Sequence, residues 1–273
     1  RVIAQYDAVS LLLNSKQWNL AIKELLELQR KFSKHKLAVE FPRKLAFAYE
    51  QNKDWKKAAV AYGTLFKSDP DANVKQEALF ISAGLQEKIG NDKKAIEYYR
   101  DYAHKYEKPF DNRMEARFHL AELYLKANDR GRHLFWLRRI IEGDEKGGRD
   151  RTERSQYLGA WANVKYGDYF AYEFKRNKLR LPIEKSMQKK NTHLKDATVR
   201  YEMAANYGIL EFVSQSTFKT ADLYSQFGSE LKAAPVPSGL SASDVEMYKN
   251  IMLQQGSPFL DLAASIHQNN IEL

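Results

Sequence analysis

The side chains that carry out most protein chemistry are absent from this sequence or lack the spacing that catalysis and metal binding require. Six histidines occur, but no two have the HxxxH or HExxH spacing that puts two metal ligands on one helix face. The chain has no cysteine, which excludes disulfides, thiolate metal sites and a thiol nucleophile. Glycine-rich phosphate-binding loops and the GxSxG serine motif are also missing. We therefore predict no enzyme, no catalytic residue, no bound metal and no cofactor.

Positive charge is concentrated in one part of the chain. Residues 130–200, here called the basic segment, contain 18 of the 44 Lys and Arg residues and 9 of the 35 Asp and Glu residues, which leaves 26 of each sign elsewhere. The net charge of +9 therefore comes from this segment, and an electrostatic partner is expected to bind there. The residues predicted to form this basic patch are Arg138, Arg139, Arg149, Arg151, Arg154, Arg176, Lys178, Arg180, Lys189 and Lys190.

Three kinds of partner fit a basic surface with interleaved Tyr and Phe. An acidic protein and an anionic membrane surface are favoured, because a polybasic cluster near anionic lipid gains about 1 kcal/mol per charge. Nucleic acid is the third kind, and we expect it less because nothing in the sequence resembles a nucleic-acid-binding fold. A solvated and partly ion-paired face without any partner is the alternative that needs no function.

One short sequence pattern recurs and indicates the elements that would position such residues. Residues 52–63 read NKDWKKAAVAYG and residues 89–100 read IGNDKKAIEYYR, so that Ala58 and Ala95 lie 37 residues apart, and Ala21 precedes Ala58 by the same interval. A large residue follows each of these alanines four positions later, at Leu25, Tyr62 and Tyr99. A small residue lets two antiparallel helices approach closely, and large neighbours fill the space beside it. The pattern therefore predicts the second helix of a repeated helix hairpin.

The remaining chain also has helical periodicity, and we predict an all-α fold of stacked hairpins in three parts. Residues 1–142 would form about four hairpins, residues 143–231 diverged basic hairpins, and residues 232–273 a Pro-rich linker with C-terminal helices. Turns are predicted at residues 143–154, at residues 165–170 (KYGDYF), near residues 213–216 and at Gly256–Pro258. His119 and His133 would lie in paired helices of the fourth hairpin, where ordinary packed or surface histidines are the favoured interpretation.

The repeated segments resemble the tetratricopeptide repeat family. Residues 39–72 match its pattern best, with Ala46, Tyr49, Ala58, Tyr62 and Pro70 in place, and residues 2–38, 76–109 and 114–143 match in part. The interval of 37–38 residues exceeds the usual period of about 34, and the first-helix Trp and Gly are missing. The resemblance implies a right-handed superhelical solenoid that binds other proteins.

The family's geometry also implies a binding groove lined by the first helix of each hairpin. Placed on the four repeats, its groove positions are aromatic residues and charges of both signs, which suit an extended or helical peptide. The Lys and Asn pattern with which some members hold a C-terminal carboxylate is missing, so that ligand is not predicted. The implied groove residues are Tyr6, Arg43, Phe47, Glu50, Phe80, Glu87, Lys88, Phe118, Glu122 and Lys126.

The C-terminal residues carry a second resemblance, to the last block of large bacterial envelope proteins found beside TonB-type energised systems and among gliding-motility components. The residues that carry it are Tyr224, Phe227, Pro235, Pro237, Gly239, Leu240, Tyr248, Pro258, Phe259 and Asn270. This resemblance implies a periplasmic or outer-membrane-associated scaffold whose partners are other envelope proteins, and the lack of cysteine favours such a location. The alternative is a cytosolic adaptor or a nucleic-acid-associated repeat protein that uses the basic segment.

Overall fold

The computed structural model describes residues 2–271. This range forms α-helices, short loops and two 3-10 turns, and it contains no β-strand, which confirms the predicted all-α class. The helices are α1 (Val2–Asn14), α2 (Trp18–Lys31), α3 (Glu40–Gln51), α4 (Trp55–Ser68), α5 (Ala72–Lys88), α6 (Asp92–Lys105), α7 (Phe110–Lys126), α8 (Arg130–Glu145), α9 (Glu153–Arg176), α10 (Ile183–Ala205), α11 (Leu210–Lys232) and α12 (Ala242–Ile271).

The chain divides into two compact units, Arg1–His133 and Leu134–Leu273. In the first unit each helix from α1 to α6 packs on the helix that follows it, which is the arrangement expected of stacked hairpins. The predicted boundaries at residues 142 and 231 stay a prediction.

Buried alanines set the distance between the helices of the first unit. Ala21, Ala58 and Ala95 have no exposed surface, as their predicted place at helix crossings requires. The tyrosines beside two of them, Tyr62 and Tyr99, are also buried. The hairpin prediction is therefore confirmed at these positions, together with the packing role of the large residues.

The turns within the hairpins repeat with the same period as the alanines. One residue of each turn has a positive φ, between 58° and 78°, and these residues lie 37, 37 and 38 positions apart. L-residues other than Gly adopt this conformation at a cost, so four occurrences in register indicate one conserved turn geometry along the unit. The residues are Lys16, Lys53, Gly90 and Asn128.

In the second unit α9 is a single helix, and the turn predicted at residues 165–170 is wrong. Gly167, which suggested that turn, is buried where the ring of Tyr201 packs against α9. A Cβ atom on Gly167 would lie 2.6 Å from Cε1 of Tyr201, so the glycine is needed for close helix packing. Thr152 and Ser155 form a capping box at the start of α9. The helix then continues to Arg176 and is followed by its C-cap residue, Asn177.

Two further breaks differ from the prediction. The helix predicted to end near residues 213–216 ends earlier, at Ala205, because Gly208 adopts a φ of +71° and turns the chain. α12 runs without interruption through Gly256 and Pro258, although an internal proline removes one helical hydrogen bond. Packing along α11 maintains the helix: Gly228 and Gly256 face each other so closely that a Cβ on Gly256 would lie 2.6 Å from the carbonyl oxygen of Gly228.

The contact between Gly228 and Gly256 gives a test of this packing. Gly228→Ala would raise the helix propensity of α11, yet the new Cβ would lie 2.7 Å from the backbone oxygen of Gly256. We expect overpacking to dominate and to lower the free energy of unfolding by about 1–3 kcal/mol. Ser229→Ala, at the exposed neighbouring position, is the matched control and should be neutral or stabilising. Urea unfolding measures both, and a more stable Gly228→Ala protein would contradict the close contact.

Candidate functional site

The first unit contains a cleft of about 570 Å³ between the second and third hairpins. Its walls come from α3, α4, α5, α6 and α7, so that residues from consecutive repeats meet there. We call it the repeat cleft, and its lining residues are Glu50, Trp55, Phe80, Ile81, Gly84, Leu85, Glu87, Lys88, Tyr99 and His119.

A hydrogen bond that occurs in two successive repeats fixes both carboxylates of the repeat cleft. The Tyr62 hydroxyl donates to Glu50 at 2.7 Å, and the Tyr99 hydroxyl donates to Glu87 at 3.1 Å. Burial, together with the adjacent carboxylate, raises the pKa of each tyrosine far above its usual value. Both tyrosines therefore stay neutral donors, and each holds its glutamate in one orientation.

Glu87 has a second partner on α7. His119 Nδ1 lies 3.0 Å from Glu87 Oε2, and the imidazole stacks on the Tyr99 ring at 4.7 Å with an interplanar angle of 2°. Burial acts to raise the pKa of Glu87, but the contact with His119 and the hydrogen bond from Tyr99 outweigh it, and the pKa is lowered. Glu87 is therefore a carboxylate at neutral pH, bound from two sides.

The other walls of the repeat cleft are aromatic. The Lys88 ammonium lies 3.4 Å from the centroid of the Trp55 ring, a cation–π contact between α5 and α4. Phe80 packs edge-on against Tyr99 at 6.1 Å. Two carboxylates, one ammonium group and three large aromatic rings thus surround a half-open space, which can bind a side chain or peptide segment. Its lining residues include no Ser, Thr or Cys nucleophile with an adjacent base.

The structure brings four of the ten predicted groove residues together in the repeat cleft: Glu50, Phe80, Glu87 and Lys88. The other six do not line it. Phe47 packs edge-on against Trp18, and the Tyr6 ring contacts Phe41. On α7, Lys126 pairs with Asp92 at 2.6 Å, Phe118 lies against the His119 ring, and Glu122 Oε1 is buried without a hydrogen-bond partner among residues 2–271.

The side chain of Arg43 forms an ion pair that links two parts of the first unit. Its guanidinium donates two hydrogen bonds to Asp69, at 2.6 and 2.8 Å, and the Asp69 side chain is only 1% exposed. The bond to Arg43 lowers the pKa of Asp69. Asp69 lies 26 positions further along the chain, so nothing in the sequence around Arg43 indicates the pair.

Six lining residues of the repeat cleft are not among the predicted groove residues, and three of them carry its ring contacts and hydrogen bonds. These three are Trp55, at the first position of a second helix, Tyr99, for which the sequence predicts packing alone, and His119, for which it predicts an ordinary histidine. The shared position of Tyr62 and Tyr99, each 12 residues after a glutamate, is the signal that could have identified the hydrogen bonds. His119 has no such signal, because stacking of hairpins brings it to Glu87.

The predicted basic patch separates into two groups at opposite ends of α9. Arg149, Arg151 and Arg154 lie at its start and Arg176, Lys178 and Arg180 at its end, about 36 Å apart for a helix of this length. The first group is partly ion-paired, since Arg151 binds the buried carboxylate of Asp144 at 2.7 Å. On α8, Arg138 is exposed and Arg139 pairs with Glu142.

Lys190 is not part of any surface, so its assignment to the basic patch is wrong. Its side chain is fully buried, and its ammonium donates to the carbonyl oxygens of Phe174 and Asn177 and pairs with Glu230 at 2.9 Å. Burial lowers the pKa of Lys190, and Glu230 opposes this effect. The Lys190 ammonium thus satisfies carbonyl groups at the C-terminal end of α9.

Potential metal ligands are dispersed in the part of the chain that the structure describes. No group of three or more His, Asp or Glu residues there converges as metal ligands do. His133 Nδ1 lies 2.9 Å from the Ala121 carbonyl oxygen, whereas His119 contacts Glu87, so the two histidines have separate partners.

None of the helices in residues 2–271 is both long and apolar enough to cross a membrane.

Glu87→Gln tests the bond network of the repeat cleft. The folded pKa of Glu87 lies below the usual value of 4.5, so its stabilisation is complete above that value and is lost as the pH falls through the folded pKa. We expect the variant to lose about 1–2 kcal/mol of unfolding free energy at pH 7, and the difference from the wild type to shrink below pH 4. Glu77→Gln, exposed on the same helix, is the control. Urea unfolding at pH 7 and pH 3 measures the difference, and a constant gap would contradict the network.

The repeat cleft lies in a part of the chain that is similar to a known repeat family. A crystal structure of a tetratricopeptide repeat protein from Parabacteroides merdae is similar over 92% of this chain and 98% of that chain, with 14% identity and a TM-score of 0.47. No curated protein sequence matches significantly. The family model of the tetratricopeptide repeat matches residues 44–72 and 77–108, which are the hairpins that form most of the repeat cleft. The chain therefore contains tetratricopeptide repeats in these two segments.

Proposed function

We propose that this protein is a non-catalytic interaction scaffold whose repeat cleft binds a segment of a partner protein. Tetratricopeptide repeats generally mediate protein–protein interactions, which supports the general role. The observation that carries the specific proposal is the repeat cleft itself, in which two matched repeats contribute fixed carboxylates and aromatic rings to one space.

The chemistry of the repeat cleft defines the segment that it would bind. Phe80 and Trp55 provide apolar aromatic surfaces. Glu50 and Glu87 are hydrogen-bond acceptors whose orientation is fixed by tyrosine hydroxyls before a ligand binds. Preorganised groups lose little freedom when a ligand binds. The preferred segment has one large apolar side chain next to a Lys or Arg, with that cation at the carboxylates.

We place this scaffold in a bacterial cell envelope, in the periplasm or at the outer membrane, with other envelope proteins as partners. The resemblance of residues 220–270 to envelope repeat proteins supports this location, and so does the lack of cysteine. A cytosolic adaptor is the alternative, and the cellular distribution of a tagged full-length protein distinguishes the two locations.

Gly84 allows the repeat cleft to be filled without disturbing the fold. It lies in the interior of α5, and the nearest atom to an added Cβ would be the Tyr99 hydroxyl at 3.4 Å, an ordinary contact distance. Gly84→Ala should therefore fold and gain up to about 1 kcal/mol in helix propensity. Gly84→Leu would extend a branched side chain into the space that a partner needs.

The experiment selects peptides from a random library on the wild-type chain and measures their affinity for both variants by fluorescence polarisation. We expect Gly84→Ala to retain the wild-type affinity and Gly84→Leu to lose at least tenfold, while circular dichroism shows both to be folded. Enrichment of sequences with an apolar residue beside Lys or Arg would support the proposed chemistry. Selected peptides that bind Gly84→Leu as tightly as the wild type would show that the repeat cleft is not the site.

A further inference from the structure

The loop between α9 and α10 and the start of α10 form a dense group of cations. Residues 175–190 contain seven Lys and Arg residues and a single acidic residue, Glu184. Lys190 is buried and Lys175 pairs with Asp222 at 3.1 Å, whereas the other five cations are exposed around Leu181. We call the exposed group the basic tip, and its members are Arg176, Lys178, Arg180, Leu181, Lys185 and Lys189.

Most cations of the basic tip are not neutralised within the protein. Arg176 pairs with Glu173 at 3.5 Å. Among the residues that the structure describes, no acidic side chain pairs with the remaining four, which are Lys178, Arg180, Lys185 and Lys189. The basic tip differs in this respect from the start of α9, where Arg151 is held by Asp144.

The positions of these cations do not favour the helix that carries them. Lys185 and Lys189 lie four residues apart on one face of α10, where like charges repel each other. Lys185 belongs to the first turn of α10, where the helix dipole favours acidic side chains. Helix stability therefore does not explain their positions.

The backbone of the basic tip is fixed. Lys190 ties α10 to the last carbonyl groups of α9 and to Glu230 on α11. The Ser186 hydroxyl accepts from the Arg180 amide at 3.0 Å and donates to the Arg180 carbonyl at 2.7 Å. The exposed cations are therefore presented on a rigid frame, which lowers the entropic cost of binding an extended anionic surface.

An apolar residue lies in the middle of the basic tip. Leu181 is 44% exposed, between Arg180 and the start of α10. A leucine has no ring on which a nucleic-acid base could stack, which is how proteins usually bind single strands. A leucine surrounded by cations does suit the boundary between lipid headgroups and acyl chains.

We propose that the basic tip docks on the surface of an anionic lipid bilayer, with Lys178, Arg180, Lys185 and Lys189 against the phosphate headgroups and Leu181 inserted between them. The contact is peripheral and reversible, since one short loop and four unpaired charges carry it. This proposal is independent of the repeat cleft, because the two sites share no residue.

Sedimentation with lipid vesicles tests the proposal. The full chain is mixed with vesicles of phosphatidylcholine and phosphatidylglycerol in equal parts, or of phosphatidylcholine alone, and the bound fraction is measured. We expect binding to the first kind only. The quadruple variant K178Q/R180Q/K185Q/K189Q should bind roughly 10²–10³ times more weakly, because each charge near anionic lipid contributes about fivefold.

Two controls separate the basic tip from general charge and from other anions. K23Q/K34Q/K67Q/K93Q removes the same number of exposed cations from the first unit and should bind almost as the wild type does. Leu181→Asn leaves the charge unchanged and should weaken vesicle binding about tenfold, and circular dichroism checks that all variants fold. Equal losses in both quadruple variants, or no loss in Leu181→Asn, would overturn the proposal. Binding to an oligonucleotide or an acidic peptide without vesicle binding would assign the basic tip to that partner instead.

Discussion

The close approach of helices at very small residues is the constraint on which the rest of this structure depends. In the first unit fully buried alanines such as Ala58 and Ala95 occupy the crossings, and in the second unit glycines such as Gly167 and Gly228 do so. Each small residue brings a larger side chain of the next helix into contact with a backbone. Tyr99 reaches Glu87 because of this spacing, so the packing that stabilises the hairpins also shapes the repeat cleft.

The fold of the first unit could be predicted from sequence because local and long-range signals agree there. Small residues, large residues and turns recur with one period, and the left-handed turn positions such as Lys53 and Gly90 follow it too. The second unit has no repeated sequence pattern, so the position of a turn there can be predicted only from the residues at that position. Gly167 and Gly256 have the sequence appearance of turns, but both serve tertiary contacts, and a sequence does not distinguish a glycine that bends a chain from one that lets another helix approach.

The candidate site could be predicted only at the groove positions of the first helices of the hairpins. Phe80 and Glu87 occupy family positions on a first helix, whereas Trp55 and His119 reach the same space from other hairpins. Charge was the least reliable guide. A sequence shows that residue 43 or residue 190 is basic, but it does not show the carboxylate that the fold places beside it, and Lys190 lies inside the protein as a result.

The length of α9 has a consequence for how solution conditions act on this protein. Its two ends are about 36 Å apart, several times the Debye length of about 8 Å at physiological ionic strength. The cations at one end therefore do not sense those at the other, and the calculated isoelectric point of 9.3 describes neither. Added salt acts on each end as a separate local charge, so two parts of one helix can differ in their response to the same buffer.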